Sequence, residues 1–397
     1  MSGDRPLRRL ALILRPMPPV FRDDAGTGET LRAYYYGRLW RGWDASQRAA
    51  AVALGRLTMP LPTNDLTRQA RHLGFRRRNL LEIEARRLPD AALDHFLDQD
   101  ERKGLHAIVN HAALPLDRNP LKNKALFEAR CTGAGLPIPV AISDATAARH
   151  FPSLISKPGM GSKGKGVLRM VRQPDGDWQS SDGALSVRAD QLVDWIAKER
   201  ARGRIVQQCM VAHASLADLS PGALPTLRVV TMRDEAGTFE VVDTALRLSL
   251  AAERAADNFS MDNLVAPVGS DSRIGPALRR SGEGFSEHAR HPVTDAPIAG
   301  AYLDQWNAAC ALARAAHAHF ADHVIIGWDI GLTAEGPVLI EGNWNPGYNV
   351  LQLVGGRGLG QLRMGTLYRH HLQHAPDAAW RRAAPIQVAQ WPVRVGG

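Results

Sequence analysis

The chain has 397 residues, 45% of them hydrophobic and 22% charged, with a formal net charge of +9 and a pI near 9.8. That length exceeds the size at which one core keeps growing, so two or three subdomains are expected, and the composition excludes a disordered chain. The positive charge favours anionic partners without choosing among nucleotide, phosphorylated sugar, nucleic acid and acidic membrane.

Cys131, Cys209 and Cys310 show no CxxC or zinc-ligand spacing, which fits reduced thiols rather than a disulfide framework. The apolar stretch near the N-terminus is interrupted by Arg15 and is too short for a signal segment. No run approaches the length of a membrane span. A cytoplasmic protein is the expectation.

Residues 1–20 are Pro-rich and irregular. From 27 to 110 the chain is rich in Ala, Leu and Arg and reads as several helices, broken at Pro60-Leu61-Pro62, with Thr63 or Asn64 as the next cap. Tyr34, Tyr35, Tyr36, Trp40 and Trp43 read as an aromatic helix face packed on a core. Residues 1–120 hold 20 Lys/Arg against 14 Asp/Glu. Arg68, Arg71, Arg76, Arg77, Arg78, Arg86 and Arg87 read as a solvated helix face, because no nucleic-acid-binding signature accompanies them.

The texture changes after about residue 118. AGLPIPV (134–140) ends in a short β-like segment, and SLISKP (153–158) and VLRMV (167–171) are strand-length runs flanking a glycine loop. Residues 187–204 predict an amphipathic helix with Leu192, Trp195 and Ile196 on its apolar side. RIVQQCMV (204–211), TLRVVTM (226–232) and FEVVDTALRL (239–248) predict strands. Residues 301–320 predict a helix carrying Tyr302, Trp306, Cys310, Ala313 and His317 near one face. VIIGWDIGL (324–332) and PVLIEGNW (337–344), joined by TAEG, predict a hairpin.

Two local patterns carry chemistry. In KPGMGSKGKG (157–166) the glycines let backbone approach a polyphosphate, and Lys157, Lys163 and Lys165 surround it with positive charge. Gly159, Gly161 and Gly164 match a dinucleotide fingerprint, but a strand follows where that motif opens a helix. A P-loop is excluded because Gly166 stands where its magnesium-binding Ser/Thr would be. A lid over phosphates remains, with an unliganded hairpin as the alternative. In the second pattern, Asp329 lies in GWDIG and Glu341-Gly342-Asn343 follows on the partner strand. Asp329, Glu341 and Asn343 would converge as three hard oxygen ligands, the incomplete set that magnesium or manganese accepts while keeping positions for water and phosphate. A carboxylate pair compensated by buried Arg or Lys is the competing reading.

The order of these pieces, with Asn123-Lys124 before them and Arg228 between them, resembles the ATP-grasp superfamily over residues 118–355. HASLADLSPGALPTLRVVT, GWDIGLTAEGPVLIEGNWNPG and Gln352 resemble its sugar-transfer-associated family. Asp257-Asn258-Phe259 aligns with a family element, although Ser260 to Asn263 depart from the glycine-rich stretch that follows it there.

The resemblance implies an α+β ATP-grasp fold, two subdomains gripping ATP, behind a helical N-terminal region. The boundaries are 1–117 (mainly helical), 118–203 (first lobe with the glycine lid), 204–355 (second lobe with hinge and metal site) and 356–397 (helix and tail). It also implies that Lys124, Lys157, Gly159, Gly161, Ser162, Lys163 and Gly164 meet the phosphates, and that Gln207, Gln208 and Met210 form the adenine hinge. Asp329, Glu341 and Asn343 would hold magnesium, with Arg228, Lys157 and Glu341 serving catalysis. The implied reaction is ATP-dependent activation of a carboxylate and its transfer to an amine or other nucleophile, in a polysaccharide or secondary-metabolite context. A phosphotransferase and a non-catalytic nucleotide-binding protein are the alternatives. His291, Asn345 and Arg357 are further polar candidates, while His213 and His317 read as structural.

Overall fold

Apolar runs of strand length separated by glycine turns fold here into two antiparallel sheets. The computed structural model describes Arg86, Leu88, Leu97, Arg102, His106, Ala379 and residues 108–115, 118–159, 166–251, 263–281 and 284–376. The helix reading over 27–85, the aromatic cluster, Arg68 to Arg78, Arg87, and the loop residues Gly161, Ser162, Lys163, Gly164 and Lys165 lie outside them. So do Asp257 to Phe259 and most of the tail beyond 376. Of the expected N-terminal helices, the described Arg86, Arg102, His106, Ile108 and Val109 are helical.

The smaller sheet has the order β4-β3-β2-β1-β5, formed by β1 (Ser153–Pro158), β2 (Leu168–Arg172), β3 (Trp178–Ser180), β4 (Ser186–Val187) and β5 (Arg204–Gln208). Helix α1 (Lys124–Gly133) precedes it, capped by the Asn123 side chain. Helix α2 (Leu192–Ala201) covers one face with the expected Leu192, Trp195 and Ile196, which pack with Leu154, Met170, Trp178 and Val206. The segment AGLPIPV forms no strand of its own. Pro137 and Pro139 lack the N–H donors a ladder needs, so the segment reaches the sheets only through isolated contacts, the Pro137 carbonyl to the Leu339 amide, the Val140 carbonyl to the Gln208 amide and a bridge from the next residue, Ala141, to Gln207.

The larger sheet runs β10-β9-β8-β7-β6-β11-β12. Its strands are β6 (Thr226–Arg233), β7 (Phe239–Leu248), β8 (Leu264–Pro267), β9 (Ala277–Ser281), β10 (Gly284–His288), β11 (Ile325–Thr333) and β12 (Gly336–Asn343). The sequence reading missed β8 to β10, of which β8 is only four residues long and β9 and β10 carry charges. Helix α3 (Trp306–Ala318) closes one face with Cys310, Ala313 and His317 buried. It begins later than the sequence predicts, and Tyr302 is exposed ahead of it. Helices α4 (Asn349–Gly355) and α5 (Arg363–Gln373) follow the hairpin. Among the described residues no helix is long and apolar enough to cross a membrane.

Behind the hairpin runs a chain of buried hydrogen bonds with only one consistent polarity. Trp328 Nε1–H donates to Thr231 Oγ1 at 2.8 Å, and Thr231 Oγ1 and His317 Nδ1 lie 2.7 Å apart. His317 Nε2 lies 3.1 Å from the His323 carbonyl. Burial pulls the His317 pKa down to about 3, so the ring is neutral, with its proton on Nε2 toward that carbonyl. Thr231 therefore donates to Nδ1 and accepts from Trp328.

Trp328 also dictates its cross-strand partner. Residue 342 lies directly opposite it, and a Cβ there would meet Leu121 Cδ2 at 2.6 Å and Trp328 Cζ3 at 3.0 Å. Only glycine fits beneath the indole. Gly342→Ala is expected to lower stability by about 1–3 kcal/mol through overpacking. Urea unfolding checks this, and an unchanged midpoint would show that the indole has room to move.

Candidate active site

Site chemistry gathers on the face of the larger sheet opposite α3. Antiparallel register sets Asp329 directly across from Glu341 on one side and from Arg228 on the other. A β-bulge makes this compatible with the core. Residues 339 and 341 would share a face by strict alternation, but the register shifts after Asp329, so Ile330 pairs with Leu339. Leu339 stays in the core while Glu341 faces the site.

Arg228 grips Asp329 bidentately, Nε to Oδ1 at 2.6 Å and Nη2 to Oδ2 at 3.1 Å. Arg247 adds a contact at 3.3 Å, and Asn343 Nδ2 lies 3.4 Å from the same carboxylate. Burial alone would raise the Asp329 pKa, yet the charges of Arg228 and Arg247 outweigh it and hold the group well below the ordinary carboxylate value. Glu341 goes the other way. Burial, then the charge of Asp329, raises its pKa against the attraction of Lys124, Arg228 and Lys157. The pair thus comprises a firm anion and a carboxyl that tends to keep its proton.

The smaller sheet supplies the lysines. Lys157 faces Ile205 on β5, and burial brings its pKa down to about 8, opposed by Glu341. Lys124 Nζ donates to the Pro158 carbonyl at 2.8 Å, and burial lowers its pKa, again opposed by Glu341. Gln207 shares the Lys157 face, opposite Ile155, whereas Gln208 lies opposite the core residue Leu154. Met210 follows the end of β5.

Both stems of the glycine loop are anchored to one point. Gly159 N–H donates to the Gly203 carbonyl at 2.9 Å, so close that a Cβ on residue 159 would stand 2.7 Å from that oxygen. Arg204 Nη2 donates to the Gly166 carbonyl at 2.7 Å. Glu199 binds Arg204 Nε at 2.6 Å and holds it in place.

The profile of the sugar-transfer associated ATP-grasp family matches residues 116–365. The chain belongs to this family. Its α+β pair of antiparallel sheets is the ATP-grasp fold. No curated protein matches it. Matching solved structures include an N5-carboxyaminoimidazole ribonucleotide synthetase from Thermotoga maritima, at 14% identity over 61% of this chain and 50% of that one, TM-score 0.31. D-alanyl-alanine synthetase A from Vibrio cholerae O1 biovar eltor matches at 12% identity over 67% of this chain and 65% of that one, TM-score 0.32. An L-amino acid ligase from Bacillus licheniformis matches at 13% over 64% and 50%, TM-score 0.35. The chain spans less than two thirds of each.

In this ATP-grasp chain the other polar candidates serve the scaffold. His291 Nε2 reaches the Ser249 carbonyl at 3.1 Å, while its Nδ1 accepts from the Val293 and Thr294 amides. Arg357 binds Asp243 at 3.1 Å. His213 accepts from the Ser215 amide in an exposed turn.

The sequence reading missed Arg247 and also a buried polar face on the N-terminal side. Arg102, His106 and Asn110, spaced four apart, brace the open ends of the β11–β12 hairpin. Arg102 donates to the Asn345 and Pro346 carbonyls at 2.7 and 2.5 Å. Burial lowers the His106 pKa well below its usual value, and the neutral ring contacts Asn345 Oδ1 at 2.7 Å and the Tyr348 and Tyr368 hydroxyls at 2.5 and 2.7 Å. Asn110 Oδ1 accepts from the Val324 amide at 2.7 Å and its Nδ2 lies 3.3 Å from the Trp344 carbonyl. The signal was the four-residue spacing of Arg102, His106 and Asn110, the last two set among Leu105, Ala107, Ile108 and Val109. Asn110→Ala would strip these buried partners, and a loss of about 2–3 kcal/mol is expected. Chemical denaturation measures it, and a loss below about half a kcal/mol would mean that water replaces the side chain.

Proposed function

We propose that the chain is an ATP-dependent, ADP-forming carboxylate–amine ligase. Membership of the ATP-grasp family supports the nucleotide. The observation that carries the chemistry is the pair Asp329 and Glu341, opposed across two strands and flanked by Lys124, Lys157 and Arg228. In this reading residues 118–203 and 204–355 are the two gripping lobes, 1–117 is a mainly helical region, 356–397 is a helix and tail, and the protein is cytoplasmic.

The donor set fits a divalent cation such as magnesium or manganese. Two opposed carboxylates and the Asn343 carbonyl oxygen are hard ligands, and the raised pKa of Glu341 marks a place where positive charge is favoured. Asp329, Glu341 and Asn343 would hold it, and when bound it would neutralise charge on the β- and γ-phosphates.

The remaining work falls to the protein's own groups. Lys124 and Lys157 draw in the phosphates, Gly159, Gly161, Ser162, Lys163 and Gly164 are assigned to the same phosphates, and Gln207, Gln208 and Met210 receive adenine. Arg228, already oriented by Asp329, lies where a carboxylate attacking the γ-phosphate brings two anions together. Its fixed guanidinium stabilises the charge of the transferred phosphoryl group without reorganising. The resulting acyl phosphate is then attacked by an amine or other nucleophile, releasing phosphate.

Two outcomes are expected. Chromatography of spent nucleotide should show ADP and phosphate, and Glu341→Gln should reduce turnover by about a hundredfold or more with the fold retained. AMP with pyrophosphate, or transfer of phosphate to a hydroxyl as the final product, would refute the scheme. The second concerns pH. The free Lys157 ammonium titrates near pH 8, and bound phosphates raise that value. Affinity for magnesium and AMPPNP should therefore be flat below pH 8 and weaken above it, by at most about one decade per pH unit. Calorimetry across that range tests it, with Lys157→Met expected to abolish the slope. A slope that persists in this variant would assign the proton elsewhere.

A further inference from the structure

Arg169 on β2 is a cation without an anion. It lies opposite Ile155 in the smaller sheet, and Ile155 lies opposite Gln207, so Arg169 shares the face of Lys157 and Gln207. The other face, with Leu154, Met170 and Val206, is the core. Arg169 Nη1 donates to the Gly222 carbonyl across the cleft at 3.4 Å, a long bond, and its buried Nε–H has no partner. Among the described residues it makes no ion pair. Arg228 and Arg247 do have one among the described residues, with Asp329. Lys124 and Lys157 lie in the field of Glu341. A half-buried guanidinium whose buried Nε–H is left bare is costly unless an acceptor arrives.

Its position separates it from the phosphate path. β2 lies on the side of β1 away from β5, so Arg169 is displaced outward from the row of Lys157 and Gln207. Its contact Gly222 donates its amide to Ser249 Oγ at 2.9 Å. Ser249 follows β7 two residues after Arg247, about 7 Å along an extended chain. The Gly222 contact of Arg169 is thus linked through Ser249 to the strand that carries Arg247.

We propose that Arg169 is a specificity-determining residue that receives a second anionic group of the acid substrate, so that the substrate class is an acid bearing a further carboxylate or phosphate. This rests on the ligase reading for what happens at the first carboxylate, but binding of the second group does not require turnover.

The test uses the full chain saturated with magnesium and AMPPNP, titrated calorimetrically with glutarate, adipate, 4-phosphonobutyrate and the single-anion control valerate. The wild type should bind at least one dianion about tenfold or more tighter than valerate, and the tighter of the carboxylate and phosphonate probes identifies the natural group. Arg169→Met and Arg169→Gln should erase that preference, while Arg169→Lys keeps part of it. Affinity for AMPPNP should stay within about twofold in all three, because the contact is not to nucleotide. Equal binding of dianion and valerate by the wild type, or an unchanged preference in both the Met and Gln variants, would overturn the assignment. So would a tenfold loss of AMPPNP affinity, which would make Arg169 a phosphate ligand. Dianion binding that depends on Arg169, with AMP and pyrophosphate as the products when ATP and an amine replace AMPPNP, would instead refute the ligase reading and leave the Arg169 site standing.

Discussion

Asp329, buried, and Glu341, half-buried, face each other on neighbouring strands, and two like charges in that position cannot both persist without cations beside them. Much of the surrounding structure answers that constraint. Arg228 and Arg247 fix Asp329 as an anion, and Glu341 is left as the carboxyl whose ionisation depends on what else is present. The bulge after Asp329 belongs to the same solution. Without it, either Leu339 would leave the core or Glu341 would leave the site.

A charge arrangement of this kind works only if the strands that carry it cannot slide. From behind, the indole of Trp328 sits over Gly342 and its N–H is tied through Thr231 to a neutral His317. At the open ends, Arg102, His106 and Asn110 hold the carbonyls and amides of residues 324 and 344–346. These contacts lie away from the reacting face, yet they set the distance between the two carboxylates. Supports of this type convert a collection of polar side chains into a preorganised field.

The hairpin, the strands around the glycine loop and the amphipathic helix of residues 192–201 were legible because each has one clear period and a glycine or proline boundary. FEVVDTALRL was legible as a strand, but its second message was not read. Asp243, Ala245 and Arg247 alternate with core residues, and that polar alternation in a buried strand marks a functional face. The short strands β9 and β10 lack an apolar signature because Arg279, Arg280 and Glu287 interrupt them, while β8 is apolar but only four residues long. The bulge at Ile340 could not be read at all, since strict alternation in VLIEGN predicts the opposite grouping of Leu339 and Glu341. The bracing face of Arg102, His106 and Asn110 was visible as spacing only, because its partners lie more than two hundred residues away.

The cations around the pair do not all do the same thing, and the difference follows from what each already touches. Arg228 and Arg247 are neutralised in part by Asp329, so they supply direction more than net charge: their N–H groups are fixed before any ligand arrives. Lys124 and Lys157 are desolvated, which lowers their pKa values against the pull of Glu341, and bound phosphate strengthens their hold on their protons. Among the described residues Arg169 has no anion beside it. A polyanion entering this cleft therefore meets prealigned donors at the carboxylate pair, responsive lysines along its length and one fixed, uncompensated charge at the outer side. Glu341 completes the logic. Holding its proton, it lets the surplus of positive charge reach its maximum. Once it ionises, the surplus falls by one, and added positive charge is favoured at the point where Asp329 and Glu341 meet.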